Sequence, residues 1–455
     1  MARKAAEAAF RKCIEAVDPR TSVAKAIRIS NHRLVIENST QVPLTDAHRL
    51  VLIGFGKAVI GMMRGAQEAL GGAHPAFLIA PKQFDNADID ATAFYAAAGN
   101  LPDDDSVTAT NFIVRQIDEF DSRDTVFVFL VSGGGSALLC APIDGIELRD
   151  KLATIKLLTS KGATIQQLNR IRQKLSKVKG GRLLGHIKQG KAVSLIISDV
   201  IGDNLELIAS GSTVPRKHNL DPLELFEILK SCDIEKTELN PNILRKLEEI
   251  ENVPNTTSCE TFNYIISSNR VAVEAVKKSL TNSGYEAHVI TSNLVGNATQ
   301  LGKMFANLIK GNRETLEERL SQICSNHPKI DSSSNKIALI FGGETTVILK
   351  GNGKGGRNQE MVLSCFNELR DHSNFAWDFT FLSAGTDGQD GPTDAAGAII
   401  SSQDLQSVEP NPIEFLNNSD SYTFWSKFRN GANHIISGST GTNVMDVQLV
   451  LLDKR

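Results

Sequence analysis

The chain has 455 residues, of which 41% are hydrophobic, and a net charge of -3. That length suits two to three domains with real cores, and the near-neutral balance excludes a chain-wide field for nucleic acid or an acidic membrane. Six scattered cysteines without a C-x-x-C pair and nine histidines without an H-E-x-x-H cluster weigh against zinc and redox chemistry and fit reduced thiols inside a cell.

The chain opens MARKAAEAAFRKCIEAVDPR, which lacks the apolar core of a secretory signal. Ala6, Phe10, Ile14 and Val17 recur at helical spacing and predict a leading helix within residues 1–30 that need not pack with the first domain. The Ala- and Arg-rich opening hints at a mitochondrial presequence, but Glu7 and Glu15 argue against one, so the expected compartment is the cytoplasm with a mitochondrion as the alternative. No apolar run approaches the ~20 residues of a membrane span. The sequon at Asn38-Ser39-Thr40 carries no weight without a secretory signal.

From Leu50 the pattern is strand, glycine turn, helix. LVLIGFGKAVIG holds Gly54, Gly56 and Gly61, but Val59 stands where a dinucleotide fingerprint needs its third glycine. The next strand, AFLIAP, runs into Lys82 with no carboxylate for a ribose hydroxyl, which disfavours a nicotinamide cofactor. Lys57 opens a helix at a strand end, where it is either solvated or within reach of a phosphate oxygen. TVFVFLV, from Thr125, is a long apolar run of the kind covered on both faces in a parallel sheet. It ends in Ser132-Gly133-Gly134-Gly135-Ser136, more glycine than a tight turn requires. The backbone can there approach an anion, with a helix predicted to begin near Ser136. Two helices broken near Gly162 come next, and Asn169, Arg172 and Ser176 fall roughly on one helical face. KAVSLIISDV is another buried strand and leaves Asp199 just past its end.

Residues 231–260 are polar and read as a connector, which divides the chain into domains 1–255 and 256–455. The second block begins with FNYIIS and two further strand and helix pairs. KIALIFGGETTVILKG reads as two strands around Gly342-Gly343, with Glu344 behind them. GNGKGGRNQE brings Gly355 and Gly356 to a helix opened by Arg357. Arg is poorly placed against a helix dipole there, so another partner must hold it unless it is solvated. FTFLSAGTDGQDGPTDAAGA runs a strand into Asp387, Asp390 and Asp394. Strand-end carboxylates beside placed cations suit a Mg²⁺-nucleotide and a small anion. Asp199, Asp387 and Asp390 are the metal candidates; Gly54, Gly56, Gly355, Gly356 and Glu344 are the nucleotide or loop candidates.

VSGGGSALL, NRIRQKLSKVKGGRL, SDVIGDNLELIASGSTVP, GGETTV, GGRNQE, AGTDGQDGPTDAAGA and GSTGTNVMD together resemble the class II glycerate kinases, the glycerate 2-kinase family with a C-terminal MOFRL domain. The resemblance runs from about Ala5 to Leu452. It implies two α/β domains, the N-terminal one Rossmann-like with a mainly parallel sheet and the C-terminal one with a mixed sheet, and an active site in a cleft between them. It implies ATP and Mg²⁺ as cofactors, D-glycerate as substrate and 2-phosphoglycerate as product. Lys57 and Arg357 match the family's catalytic cations. Ser132, Gly133, Gly134, Gly135 and Ser136 would meet a phosphate or the glycerate carboxylate, and Asn169 and Arg172 would hold glycerate. Neither nucleic acid nor membrane is an expected partner, and both monomer and homodimer stay open. The alternatives are a glycerate kinase giving 3-phosphoglycerate, an NAD(P)-linked hydroxypyruvate reductase, or a non-catalytic anion-binding protein on the same fold. Three departures stand out: Gly99-Asn100-Leu101-Pro102-Asp103 lacks the family's usual His, Asn418-Ser419-Asp420-Ser421-Tyr422 carries an extra residue, and Ser439 replaces a usual Pro.

Overall fold

A computed structural model describes every residue except 38–39, 85–87, 98–100, 217–218, 251–258, 331–333 and 408–409. The sequon, Gly99-Asn100 and the end of the expected connector near Pro254 lie outside the described residues. The chain forms two compact units, Pro19–Ile266 and Met1–Asp18 with Ser267–Arg455.

The first unit opens with α2 (Pro19–Ala26), which comes after α1 (Ala2–Ala16), and a small antiparallel sheet of β1 (Ile27–Ser30), β2 (Arg33–Ile36) and β3 (Thr40–Pro43). Its main sheet contains β4 (Arg49–Phe55), β5 (Ala76–Pro81), β6 (Thr92–Ala96), β7 (Thr125–Val131), β8 (Lys191–Ile197) and β9 (Thr261–Ser267), in the order β6-β5-β4-β7-β8-β9. The pairs from β6 to β8 are parallel. β4, β5, β7 and β8 are buried along nearly their whole length, which is why their sequences read as unbroken apolar runs. The chain winds from β4 out to β6, then returns to place β7 on the other side of β4. The carboxyl ends of β4 and β7 therefore flank a topological switch point, where open α/β sheets bind ligands. The helices of this unit include α3 (Val59–Leu70), α4 (Asp104–Phe120), α5 (Gly135–Leu138), α6 (Leu148–Ser160), α7 (Ile165–Lys174), α8 (Pro222–Ser231) and α9 (Pro241–Glu248).

The second unit holds α10 (Asn269–Asn282), β10 (Glu286–Leu294), α11 (Ala298–Ile309), α12 (Leu316–Ile323), β11 (Lys336–Gly343), α13 (Arg357–Leu369), β12 (Trp377–Gly385), β13 (Gly397–Ser401), α14 (Pro412–Asn417), α15 (Ser421–Lys427), β14 (His434–Ile435) and β15 (Asp446–Lys454). Its sheet is mixed, in the order β10-β11-β15-β12-β13-β14, with β10 and β11 parallel and the pairs from β11 to β14 antiparallel. Its core contains Phe305 on Phe341 and Phe381, with ring centroids 5.0 and 4.9 Å apart.

Two details depart from the sequence reading, and the packing of the leading helix follows it. FNYIIS lies in β9, the edge strand of the first sheet, so the compact units divide at Ile266 rather than at 255. The leading helix α1 packs against α10, turning Ala6, Ala9, Phe10 and Cys13 inward in the second unit. Of the two strands expected around Gly342-Gly343 only β11 forms; beyond it Ile348 and Leu349 are exposed, and Thr346 makes only an isolated bridge to Asn297.

Candidate active site

At the switch point the turns after β4 and β7 are sewn together. The Lys57 amide donates to the Gly133 carbonyl at 2.8 Å, and the Ala58 amide to Ser132 Oγ at 3.0 Å. Gly134 adopts φ +79°, and its missing side chain leaves room for the stem of Lys57, whose Cγ would lie 2.9 Å from a Cβ there. Gly133 likewise admits Asp199, whose Oδ2 would lie 1.9 Å from an added Cβ. The glycines therefore bring an exposed lysine and a half-buried carboxylate onto one stretch of bare backbone. Burial pushes the Asp199 carboxyl up, and Lys57 partly offsets this. The amides of Gly133, Gly134 and Ser136 take no acceptor among the described residues. The helix expected after the turn is the single turn α5, so backbone geometry matters here more than a macrodipole.

A polar chain leads away from this turn. Ser136 Oγ meets Ser210 Oγ at 2.8 Å; Ser210 Oγ donates to Asn169 Oδ1 at 3.1 Å, and Arg172 reaches the same oxygen at 3.4 Å. Ala209 and Ser210 both have positive φ, a strained pair that turns the Ser210 hydroxyl onto this path. Sequence reasoning missed Ser210, and its only trace was the glycine-flanked ASGST run.

In the second unit the register of the sheet builds the other cationic group. Gly343 of β11 and Gly385 of β12 both pair with Asp446, the first residue of β15. Glu344 and Asp387 therefore leave the sheet on either side of a fully buried carboxylate. Arg357, first in α13, meets Asp446 with both nitrogens of its fork, Nε to Oδ2 at 2.6 Å and Nη2 to Oδ1 at 2.8 Å, and lies 3.3 Å from Glu344. Burial would lower the Arg357 pKa, but Asp446 and then Glu344 more than offset it. This is the partner that Arg at a helix start required. Thr386 and Asn269 hold Asp446 in place. Thr386 bonds through its amide and hydroxyl to Met445 O, and Asn269 Nδ2 donates to the carbonyls of Val444 and Asp446 at 2.8 and 2.9 Å.

Two family models match the chain. A domain of unknown function (DUF4147) covers residues 5–248, and the MOFRL family covers residues 337–446. An "uncharacterized protein" of Caenorhabditis elegans is 49% identical over 99% of both chains. A glycerate kinase of Rattus norvegicus is 35% identical over 97% of this chain and 91% of its own. A D-glycerate 2-kinase of Thermotoga maritima is 33% identical over 99% and 98%. The chain belongs to the glycerate kinase family. A crystal structure of a glycerate kinase from Thermotoga maritima superposes with a TM-score of 0.79 at 29% identity, covering 99% of both chains. The Rossmann-like parallel sheet and the mixed sheet expected from the resemblance are thus the architecture of this glycerate kinase family member.

The proposed site residues fall into groups. Lys57, Gly133–Ser136, Asp199, Asn169 and Arg172 share the switch-point region of the first unit. Arg357, Glu344 and Asp387 share the ends of β11 and β12 in the second. Ser132 secures the joint between turns through Ala58. Gly54, Gly56, Gly355 and Gly356 are glycines for internal reasons, because Val59, Ser132, Ser421 and Asp390 occupy the space a Cβ would take. The metal assignment of Asp390 is corrected. Oδ1 accepts from Asn358 N and Nδ2 at 3.0 and 3.3 Å, and Oδ2 from Gln359 N and Nε2 at 2.9 and 3.0 Å. All four lone-pair positions are committed to the start of α13, leaving none for a cation. No cluster of three or more His, Cys, Asp or Glu side chains suited to a metal occurs among the described residues. Mg²⁺ needs only one or two carboxylates beside phosphate oxygens and water. Asp199 and Asp387 fit that pattern; Asp387 is half-buried, with Oδ1 accepting from Gln389 N at 3.0 Å. Of the departing loops, Asp103 caps α4 through Ser106, and residues 418–420 tie down the glycine-rich loop at Lys350 and Lys354. Among the described residues no helix is long and apolar enough to cross a membrane.

Proposed function

We propose that this protein transfers the γ-phosphoryl group of ATP to the 2-hydroxyl of D-glycerate, giving 2-phospho-D-glycerate and ADP. The observation that carries this reading is the joining of Lys57, the bare Gly133–Gly135 backbone and Asp199 at the switch point of a chain that aligns end to end with glycerate kinases. Phosphoryl transfer asks chiefly for charge stabilisation and for two oxygens held in line. Lys57 and Arg357 supply positive charge to the transferring group. Arg172 and Asn169 hold the acid end of glycerate. Asp199, made a better proton acceptor by its burial, orients the attacking hydroxyl and receives its proton. Mg²⁺, held by the nucleotide phosphates with Asp387 or Asp199, would neutralise phosphate charge. A cytoplasmic setting agrees with six free cysteines, five of them buried.

The test is incubation with ATP, Mg²⁺ and D-glycerate, followed by phosphorus NMR with proton coupling. The expected product shows phosphorus coupled to the lone methine proton at carbon 2. Coupling to a methylene pair would identify 3-phosphoglycerate instead. Absence of ADP would leave a binding protein, and oxidation of NADH by hydroxypyruvate would make it the reductase.

A further inference from the structure

Behind the Ser136 turn lie two buried lysines that the roles above do not use. Lys179 is 1% exposed, and its ammonium donates to Ser136 O at 2.6 Å and Leu139 O at 3.1 Å. Lys151, from α6, is 3% exposed and among the described residues its ammonium reaches only Cys140 Sγ, at 3.8 Å. Half-buried Arg172, from α7 and already assigned to glycerate, is their neighbouring charge beside Asn169. No carboxylate pairs with any of the three among the described residues. A buried charge without a counter-charge costs several kcal/mol, so such groups are normally paired or neutralised.

We infer that Lys179 and Lys151 are positioning residues whose counter-charge is the carboxylate of the acceptor, so that the Ser136–Ser210–Asn169 chain seats glycerate and not the nucleotide. The inference rests on the glycerate kinase reading above. Lys179 bonds to the far side of the same turn whose Ser136 hydroxyl starts that chain, so it fixes the turn and places positive charge behind it. Arg172 and Asn169 close the other end. The groups facing Lys179 are the Cys140 thiol after α5, Lys151 from α6 and Arg172 from α7, none of them a carboxylate. Burial pushes Lys179 down to about 7 and lowers Lys151 as well. Seating an anion nearby favours the charged form of Lys179. Acceptor binding therefore holds below about pH 7 and weakens as pH rises through it.

The test measures KM for D-glycerate and for ATP between pH 6 and 9 in the wild type, Lys179→Met and Lys151→Met. Wild type should show a glycerate KM that rises above about pH 7 with an ATP KM that stays level. Lys179→Met should raise the glycerate KM about tenfold, equivalent to roughly 1.4 kcal/mol, and remove the alkaline rise. Lys151→Met should raise it by a smaller factor. A role in packing alone would change melting but leave no pH limb to remove. The inference is overturned if the ATP KM moves in place of the glycerate KM, or if the wild-type glycerate KM is flat across this range, a result needing no variant. If wild type fails to phosphorylate glycerate at all, the functional reading falls and takes this one with it; if it succeeds and the variants match it, only the cation assignment falls.

Discussion

Lys57 and Arg357 are the two cations proposed for the same task, and the protein holds them in opposite ways. Lys57 is exposed, sits on a glycine turn and faces one half-buried carboxylate. Arg357 is three-quarters buried along its side chain, locked by two short bonds to a buried Asp446, with Glu344 beside it. The lysine is a compact charge on a flexible stem; the guanidinium is a planar fork already half used. What the difference teaches is that the second cation is also part of its unit's structure, whereas the first is free to serve a ligand alone.

Stability measurements should expose this contrast most strongly. Arg357→Met strands the Asp446 carboxylate in the interior and should cost about 3–5 kcal/mol in urea unfolding. Lys57→Met should stay within about 0.5 kcal/mol of wild type. Equal losses would erase the distinction.

The three carboxylates after β12 sharpen it further. Asp390 is structural: Asp390→Asn turns an amide donor toward the donors of Gln359 and should cost about 2 kcal/mol at neutral pH. Burial raises the Asp390 pKa to about 6, above the unfolded value of about 3.9. The folded state thus binds the extra proton between those values, so this group's stability contribution is full below about pH 4 and is lost as pH rises to about 6. The Asn variant should lack that slope. Asp394, exposed and bonded to the Tyr422 hydroxyl at 2.7 Å, should tolerate alanine within about 0.5 kcal/mol. The three residues look alike in sequence because the terminating strand is visible there and the position of α13 is not.

The same limit separates what was legible from what was not. β4, β7 and β8 are written as apolar runs because both their faces are covered. β6 and β9 are half-exposed and have no such run, so β9 reads in sequence as the start of the second block. Lys57, the triple glycine and Asp199 were legible because each sits at the end of a strong strand signal. Asp446 was not, although the misplaced charge of Arg357 called for a partner unless it was solvated; that partner's identity depends on strand register 89 residues away. Ser210 and Lys179 were hidden because a strained backbone pair and a buried lysine both look like surface composition.

Turnover of folded Lys57→Ala and Arg357→Ala with ATP, Mg²⁺ and D-glycerate tests the central claim most directly. If both cations stabilise the transferring phosphoryl group, each variant should lose on the order of 10³ in kcat. Wild-type turnover in both variants would contradict the account.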